Sequence, residues 1–364
     1  MKHALISRER ATSGLLITDD GVKIISEGGI AAISGLPQGY DNRSVYAAPQ
    51  GTVIGLYYEK DYRPEAESYT SAEYVVLDGA GRKTLVIKKL DGGRVIYPAP
   101  SGQWAIAWPG QSAPTTPPVF LHAQKKFEAS KWPREFHATS AVFSKSGTTV
   151  AITATDGRPR ATLIYSSRGS QLSSINQAGK TRFLDGSRRI AIASSGKLIL
   201  FTDTGSELGR VDVPGADLYS KIAWAPEATS VFVLTGANTL VRADARAVAT
   251  LWNKNLLDIL GDSVDPGDSI LPLGIDCSND AKVLSLALAT WHWESLASGG
   301  RKAKQTADLL VTLDLTGAMV DVIRFPSDTF LRQQHNDVAT VLAADGRRVT
   351  VPTKSGLSTY EISR

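Results

Sequence analysis

Zinc binding, phosphate cradling and nucleophilic catalysis each require particular side chains at particular separations, and this sequence lacks those separations. The five histidines, His3, His122, His137, His292 and His335, include no pair at the three-to-five spacing of local zinc ligands, so a zinc site would have to be assembled at long range. Cys277 is the one cysteine. It excludes an intrachain disulfide and a Cys-based structural zinc site, and its apolar setting, Leu273-Gly274-Ile275-Asp276, favours a buried thiol over a reactive one. No Gly-x-Gly-x-x-Gly, Walker-type loop, Gly-x-Ser-x-Gly elbow or EF-hand loop occurs. Asp19, Asp20, Asp203 and Asp314 match turn chemistry so well that a structural role is the expected one. The expectation is no catalytic residue, no cofactor and no metal.

Two stretches are instead rich in the side chains that dominate protein interfaces. One holds Tyr57, Tyr58, Lys60, Asp61, Tyr62, Arg63 and Tyr69. The other begins Trp291-His292-Trp293-Glu294 and continues Gly299-Gly300-Arg301-Lys302-Ala303-Lys304. Tyr, Trp and Arg are large, fairly rigid and able to hydrogen-bond from an apolar body. Tyr62, Tyr69, Trp291, His292, Trp293, Arg301, Lys302 and Lys304 are therefore the candidate partner-binding residues. Two alternatives stay open: Trp291 and Trp293 packed between structural units, and the basic run as a solvated loop. Tyr57 and Tyr58 are expected to finish a strand, with one ring buried. The run from Arg301 to Lys304 suits an acidic protein segment, phosphate or nucleic acid.

The elements that must position these residues follow from composition and period. The chain has 364 residues, 42% of them hydrophobic and 21% charged, which supports a packed core. Its charge of +4, from 40 Lys and Arg against 36 acids, is mild, and the basic residues are mostly scattered. No run approaches the roughly 18 apolar residues of a membrane span. The segment Met1 to Arg10 carries charge almost at once, unlike an export signal. With the lone thiol, these features lead us to expect a cytoplasmic protein.

One unit recurs along the chain: an apolar strand, a tight polar turn, a second strand, a variable loop, then a hairpin. Its first half reads Ser44-Val45-Tyr46-Ala47-Ala48-Pro49-Gln50-Gly51 and returns from Arg94 to Gly102 and from Ser140 to Gly147. Looser copies lie at Phe183, Ala223 and Ile275. Turns near 51, 102, 147, 186, 228 and 280 are separated by roughly 40 to 50 residues, the length of a four-stranded unit. The second half recurs before Gly21, Gly81, Gly205 and Gly317, where Asp and Gly suit tight turns and β-branched residues fill the flanks. One short helix is expected over Leu251–Leu260, closed by Gly261.

In period and turn chemistry this unit resembles the β-propeller superfamily in its degenerate, WD40-like form, over essentially the whole chain. No Trp-Asp dipeptide or Gly-His pair is present to narrow the resemblance. It implies an all-β fold of seven blades, with eight the alternative and a pair of β-sandwiches the other fold. The units run approximately 44–90, 91–137, 138–178, 179–217, 218–268 and 269–326. Residues 327–364 and 1–43 would then close the ring, as one blade with strands to spare or as two short blades.

The propeller resemblance implies that loops alternate between two faces, and the long insertions fall on one of them. They are Glu59 to Ala72, Pro109 to Pro117, Ala129 to Ala138, Asn253 to Ser269 and Thr290 to Ala307. Long loops on a rigid scaffold tend to carry function. The leading expectation is a non-catalytic platform that binds a protein partner, with acidic segments, in a cytoplasmic and bacterial multi-protein assembly. An enzyme or small-ligand binder using the central channel and a nucleic-acid binder using the basic loop are the alternatives.

Overall fold

Short apolar runs punctuated by Gly, Asp and Ser favour antiparallel strands joined by tight turns. The computed structural model describes residues 11–18, 21–26, 29–32, 36, 41–47, 53–60, 71–78, 80–88, 94–109, 116–156, 159–184, 188–278, 280–295, 301–332, 338, 340–343, 346–354 and 356–362. Strands β1 (Ala11–Thr18), β2 (Gly21–Ser26) and β3 (Gly29–Ala32) open the chain. Six four-stranded antiparallel sheets then follow in sequence order. The first is β4 (Asp41–Ala47), β5 (Ile54–Lys60), β6 (Ser71–Leu77) and β7 (Lys83–Lys88); the second is β8 (Arg94–Pro98), β9 (Ala105–Pro109), β10 (Val119–Leu121) and β11 (Lys126–Glu128). The third is β12 (His137–Phe143), β13 (Thr149–Thr155), β14 (Pro159–Ser166) and β15 (Gln171–Ile175). The fourth is β16 (Lys180–Leu184), β17 (Arg189–Ser194), β18 (Lys197–Thr202) and β19 (Glu207–Asp212). The fifth is β20 (Lys221–Ala225), β21 (Ser230–Leu234), β22 (Thr239–Asp244) and β23 (Ala249–Asn255); the sixth is β24 (Ser269–Cys277), β25 (Val283–Ser295), β26 (Arg301–Asp314) and β27 (Met319–Pro326).

The seventh sheet takes strands from both ends of the chain. Strands β28 (Val341–Leu342), β29 (Arg348–Thr353) and β30 (Gly356–Glu361) pair in order, and β1 joins β30, with β2 and β3 beyond it. The strand-rich termini thus make one six-stranded sheet, the reading that left strands to spare. First strands neighbour one another across sheets: β4 beside β8, β12 beside β16, β16 beside β20, β20 beside β24, and β24 beside β28.

Burial explains the stacking. Middle strands such as β13 and β21 are buried on both faces, while outer strands such as β19 and β23 are largely exposed. A strand buried on both faces needs a sheet on each side. Among the described residues six cores supply it, each shared by consecutive sheets: Val76 with Ala107, Trp104 with Phe143, Ile164 with Phe183, Leu200 with Val231, Phe232 with Leu286, and Leu310 with Val351.

The turns repeat with the sheets. Gly81, Gly169, Gly205 and Gly317 each donate N–H to the carbonyl three residues back, at 2.8–3.1 Å, and each has a positive φ that a side chain would resist. In the sixth sheet's first turn Ala281 takes this role at φ 61°, and its methyl is buried in the core. Three residues after each of these four glycines, at Thr84, Leu172, Leu208 and Val320, the outer strand carries a β-bulge. Bulges at outer edges discourage pairing with other chains.

Two sequence expectations are corrected. The helix spans only Leu256–Leu260 (α1), capped by Asn255 and Gly261, because residues 252–255 pair with β22. Leu256 and Leu260 fill the wedge between the fifth and sixth sheets. Tyr57 and Tyr58 are both buried, where one ring was expected. The expected turns at 51 and 186 and the pair Asp19 and Asp20 lie outside the described residues.

The junction of the sixth and seventh sheets yields a test. Gly274 sits beside a bulge in β24, and a Cβ there would lie 2.2 Å from the Val338 carbonyl oxygen. That carbonyl belongs to backbone held by the Val338 N–H to Leu273 O bond of 2.7 Å. Gly274→Ala should therefore cost about 1–3 kcal/mol, read as a lower denaturant midpoint with an unchanged slope. A midpoint equal to the wild type would contradict this packing.

Candidate functional site: a strand-borne ribbon on the sixth sheet

The stretch from Thr290 to Ala307, expected as a long loop, is strand on both arms. Strands β25 and β26 continue pairing past the end of their sheet, with Trp291 opposite Gln305, His292 opposite Lys304, Trp293 opposite Ala303, Glu294 opposite Lys302 and Ser295 opposite Arg301. Flanking strands stop earlier, since β24 reaches only Trp291 and β27 only Ala307. Residues 292–295 and 301–304 thus form a two-stranded ribbon. At about 3.3 Å per residue it adds roughly 13 Å to the sheet. Trp291, His292, Trp293, Arg301, Lys302 and Lys304 are corrected from loop to strand, and all six come together here.

Strand alternation gives the ribbon two unlike faces. One carries Trp291 and Trp293 with Ala303 and Gln305. Trp291 is half-buried against the core shared by the sixth and seventh sheets, and its indole N–H, buried, has no acceptor among the described residues. Trp293 is 52% exposed, whereas the other six tryptophans are buried or half-buried. The opposite face carries His292, Glu294, Lys302 and Lys304, with Lys304 Nζ 3.4 Å from Glu294 Oε1.

Two buried carboxylates clamp the ribbon's base, one on each face. Asp268 accepts from Thr306 Oγ1 at 2.7 Å and lies 2.9 Å from His292 Nδ1, and Thr306 in turn bonds Thr290 at 2.7 Å. Asp308 accepts from Gln305 Nε2 at 2.7 Å, from Arg332 at 3.0 Å and from the Phe330 N–H at 2.9 Å. Burial pushes the Asp308 carboxyl upward, and the Phe330 N–H and Arg332 oppose that shift. Sequence reading missed Asp268, Asp308, Gln305, Thr306 and Arg332. The signal available was Asp308 itself, a lone acid opening the apolar run Leu309-Leu310-Val311. Tyr62 and Tyr69 lie outside the described residues.

The inner strands were the alternative place for a site. Arg182 of β16 lies 3.4 Å from Asp276 of β24, so this pair links the fourth sheet to the sixth across the inner edge of the fifth. The Leu342 N–H donates to Asp276 at 2.8 Å. Burial raises the Asp276 carboxyl, opposed by Arg182 and that N–H, and burial also raises the neighbouring Cys277 thiol. Each charge answers the other, which makes the pair a tie between inner strands. Among the described residues no three His, Cys, Asp or Glu side chains gather as metal ligands. No helix among them is long and apolar enough to cross a membrane.

No protein-family model matches the chain, and no curated protein matches it in sequence. Its shape is similar to that of the C-terminal WD40 domain of Sif2, at a TM-score of 0.54 and 11% identity, over 94% of this chain and 89% of that one. Because 1247 solved chains match the shape, the fold selects no single function among them. With successive sheets stacked through shared cores and both termini entering one sheet, the chain folds as a WD40-like β-propeller.

Proposed function

We propose that this propeller is a non-catalytic interaction platform and that the ribbon of the sixth sheet is its partner-binding element. The observation that carries the proposal is Trp293, the one exposed tryptophan, held on paired strands. An exposed indole on ordered backbone offers a large contact area at little entropic cost on binding. The ribbon's other face sets two lysines, Lys302 and Lys304, beside one acid, Glu294. That balance suits a partner with an apolar pocket bordered by acidic residues, the lysines aiding encounter more than final affinity. A single, buried cysteine supports placing the assembly in a reducing compartment such as the cytoplasm. Seven sheets among the described residues support seven blades over eight.

Trp293→Ala tests this reading. The ring is half in solvent and outside the core, so the unfolding midpoint should stay at the wild-type value. Capture of the partner from the native host should weaken by about 2 kcal/mol or more, some thirtyfold, as for a central interface tryptophan. Equal capture of the same proteins by both forms would remove the ribbon from the interface.

A further inference from the structure

We propose that the short-turn side of the second and third sheets binds the phosphate backbone of duplex nucleic acid, independently of the ribbon. Four turns meet there: residues 99–104, 122–126, 144–149 and 166–171. Trp104 Nε1 donates to Gly147 O at 2.7 Å, joining the two first turns, and His122 Nε2 lies 2.9 Å from Ser167 O, joining the two hairpin turns. The four segments contain Lys125, Lys126, Lys145 and Arg168, all exposed, and no Asp or Glu. Lys145 is also within electrostatic reach of Asp276 on the inner strands. Along the chain the first carboxylate met is Glu128, two residues past Lys126.

The absence of acids here is a matter of residue choice within a fixed turn geometry. In the hairpin turns of the first and sixth sheets the capping acceptor is a carboxylate. Asp78 accepts from Ala80 N and Arg82 N at 3.0 and 2.9 Å, and Asp314 accepts from Thr316 N and Ala318 N at 2.8 and 3.0 Å. In the third sheet Ser166 Oγ takes both equivalent bonds, each at 3.3 Å. The first turns show the same exchange. Asp280 accepts from Ser278 Oγ at 2.8 Å and from Lys282 N at 3.0 Å, while Ser146 Oγ lies 3.2 Å from Ser144 Oγ and accepts from Thr148 N at 3.4 Å. Ionised acceptors make the shorter and stronger bonds. The third sheet thus has the weaker cap at both positions, and its turns present hydroxyls and cations with no Asp or Glu of their own.

That surface fits a polyanion, since Lys, Arg, Ser and Thr are the side chains that contact phosphate oxygens. It does not fit unpaired bases. Trp104 is buried, and His122 is stacked on Trp104 and set edge-on to Phe127, so neither ring is free to take a base. A duplex, read by its backbone and without sequence preference, is the ligand this chemistry selects.

Fluorescence anisotropy of the full chain with a labelled DNA duplex of about 20 base pairs tests the proposal. Three or four neutralised phosphates should make affinity fall about 40- to 150-fold between 50 and 200 mM salt. Ser146→Asp with Ser166→Asp copies the caps of the sibling turns, so the fold should be kept while binding drops about tenfold or more. Ser146→Asn with Ser166→Asn should keep most of the binding, and Trp293→Ala should leave it unchanged. Should the Asp variant misfold, Lys125→Glu with Arg168→Glu must show the same loss. No binding at 50 mM salt would overturn the proposal. So would affinity unchanged by either set of substitutions, or capture by anionic phospholipid vesicles without capture of the duplex.

Discussion

Asp308→Ala is expected to cost about 3–5 kcal/mol of stability, because it leaves the half-buried Arg332 guanidinium without its counter-charge and three donors without their acceptor. The Asp308 side chain is fully buried and holds three donors: Gln305 Nε2, Arg332 and the Phe330 N–H. Removing it also unseats Phe330, a buried ring that packs on Phe325 and whose backbone bridges to Thr353. The sixth and seventh sheets should then separate first, read as a lower urea midpoint and as proteolytic cleavage near 327–332. Arg332→Met placed in the same chain removes the orphaned charge and should recover part of the loss. A single variant as stable as the wild type would show that this carboxylate does not clamp the ribbon.

Trp104→Ala is expected to cost a similar amount, about 3–5 kcal/mol, for a different reason. The indole is 3% exposed and lies between the second and third sheets, with ring centroids 5.8 Å from Phe120 and 5.2 Å from Phe143. Its removal leaves a cavity at the centre of an aromatic cluster that rigid neighbouring sheets cannot collapse to fill. Trp104→Phe keeps most of the apolar volume but leaves the Gly147 carbonyl without its donor. That smaller change should cost about 1–3 kcal/mol. If both substitutions cost equally, the hydrogen bond rather than the packing would hold this junction. If neither matters, the two sheets are not held together here.

The parts of the fold that were legible in the sequence are those determined locally. Gly81, Gly102, Gly147, Gly205 and Gly317 all adopt positive φ in the turns their spacing indicated. Asp314 caps a turn as expected, through its side-chain acceptor. The apolar runs between turns became strands, and the strand-rich termini met in one sheet. The ribbon was misread although its period was present. Trp291 and Trp293 alternate with His292 and Glu294, as do Arg301 and Ala303 with Lys302 and Lys304, but Gly299-Gly300 and the polar content suggested a loop. The pattern at 251–260 failed in the opposite direction: its apolar spacing suited a helix, yet pairing of Trp252 with Arg242 and of Lys254 with Leu240 extended a strand to Asn255. Of the clamps only Asp308 left a signal, as a lone acid before an apolar run, and the pairings themselves left none. Asp308 and Arg332 are 24 residues apart, as are Asp268 and His292, and only the folded chain makes them neighbours.

The hydroxyl-for-carboxylate exchange in the third sheet's turns was invisible for another reason. Ser and Asp are both ordinary turn residues, so Ser146 and Ser166 stand out only against Asp280 and Asp314 in equivalent places. Once the sheets are aligned, an electrostatic difference can be read at constant geometry. The ribbon and the short-turn patch can then be tested separately, because they lie on different sheets and share no residue.

The partner-binding role of the ribbon is tested most directly by site-specific photo-crosslinking in native host cells. A photoreactive phenylalanine analogue would replace Trp293, and in a control chain Leu208, which is 47% exposed on the rim of the fourth sheet. A platform that binds through its ribbon predicts one reproducible protein adduct from position 293 that is missing from position 208. The same adducts from both positions, or none from 293 when the partner is captured by other means, would contradict it.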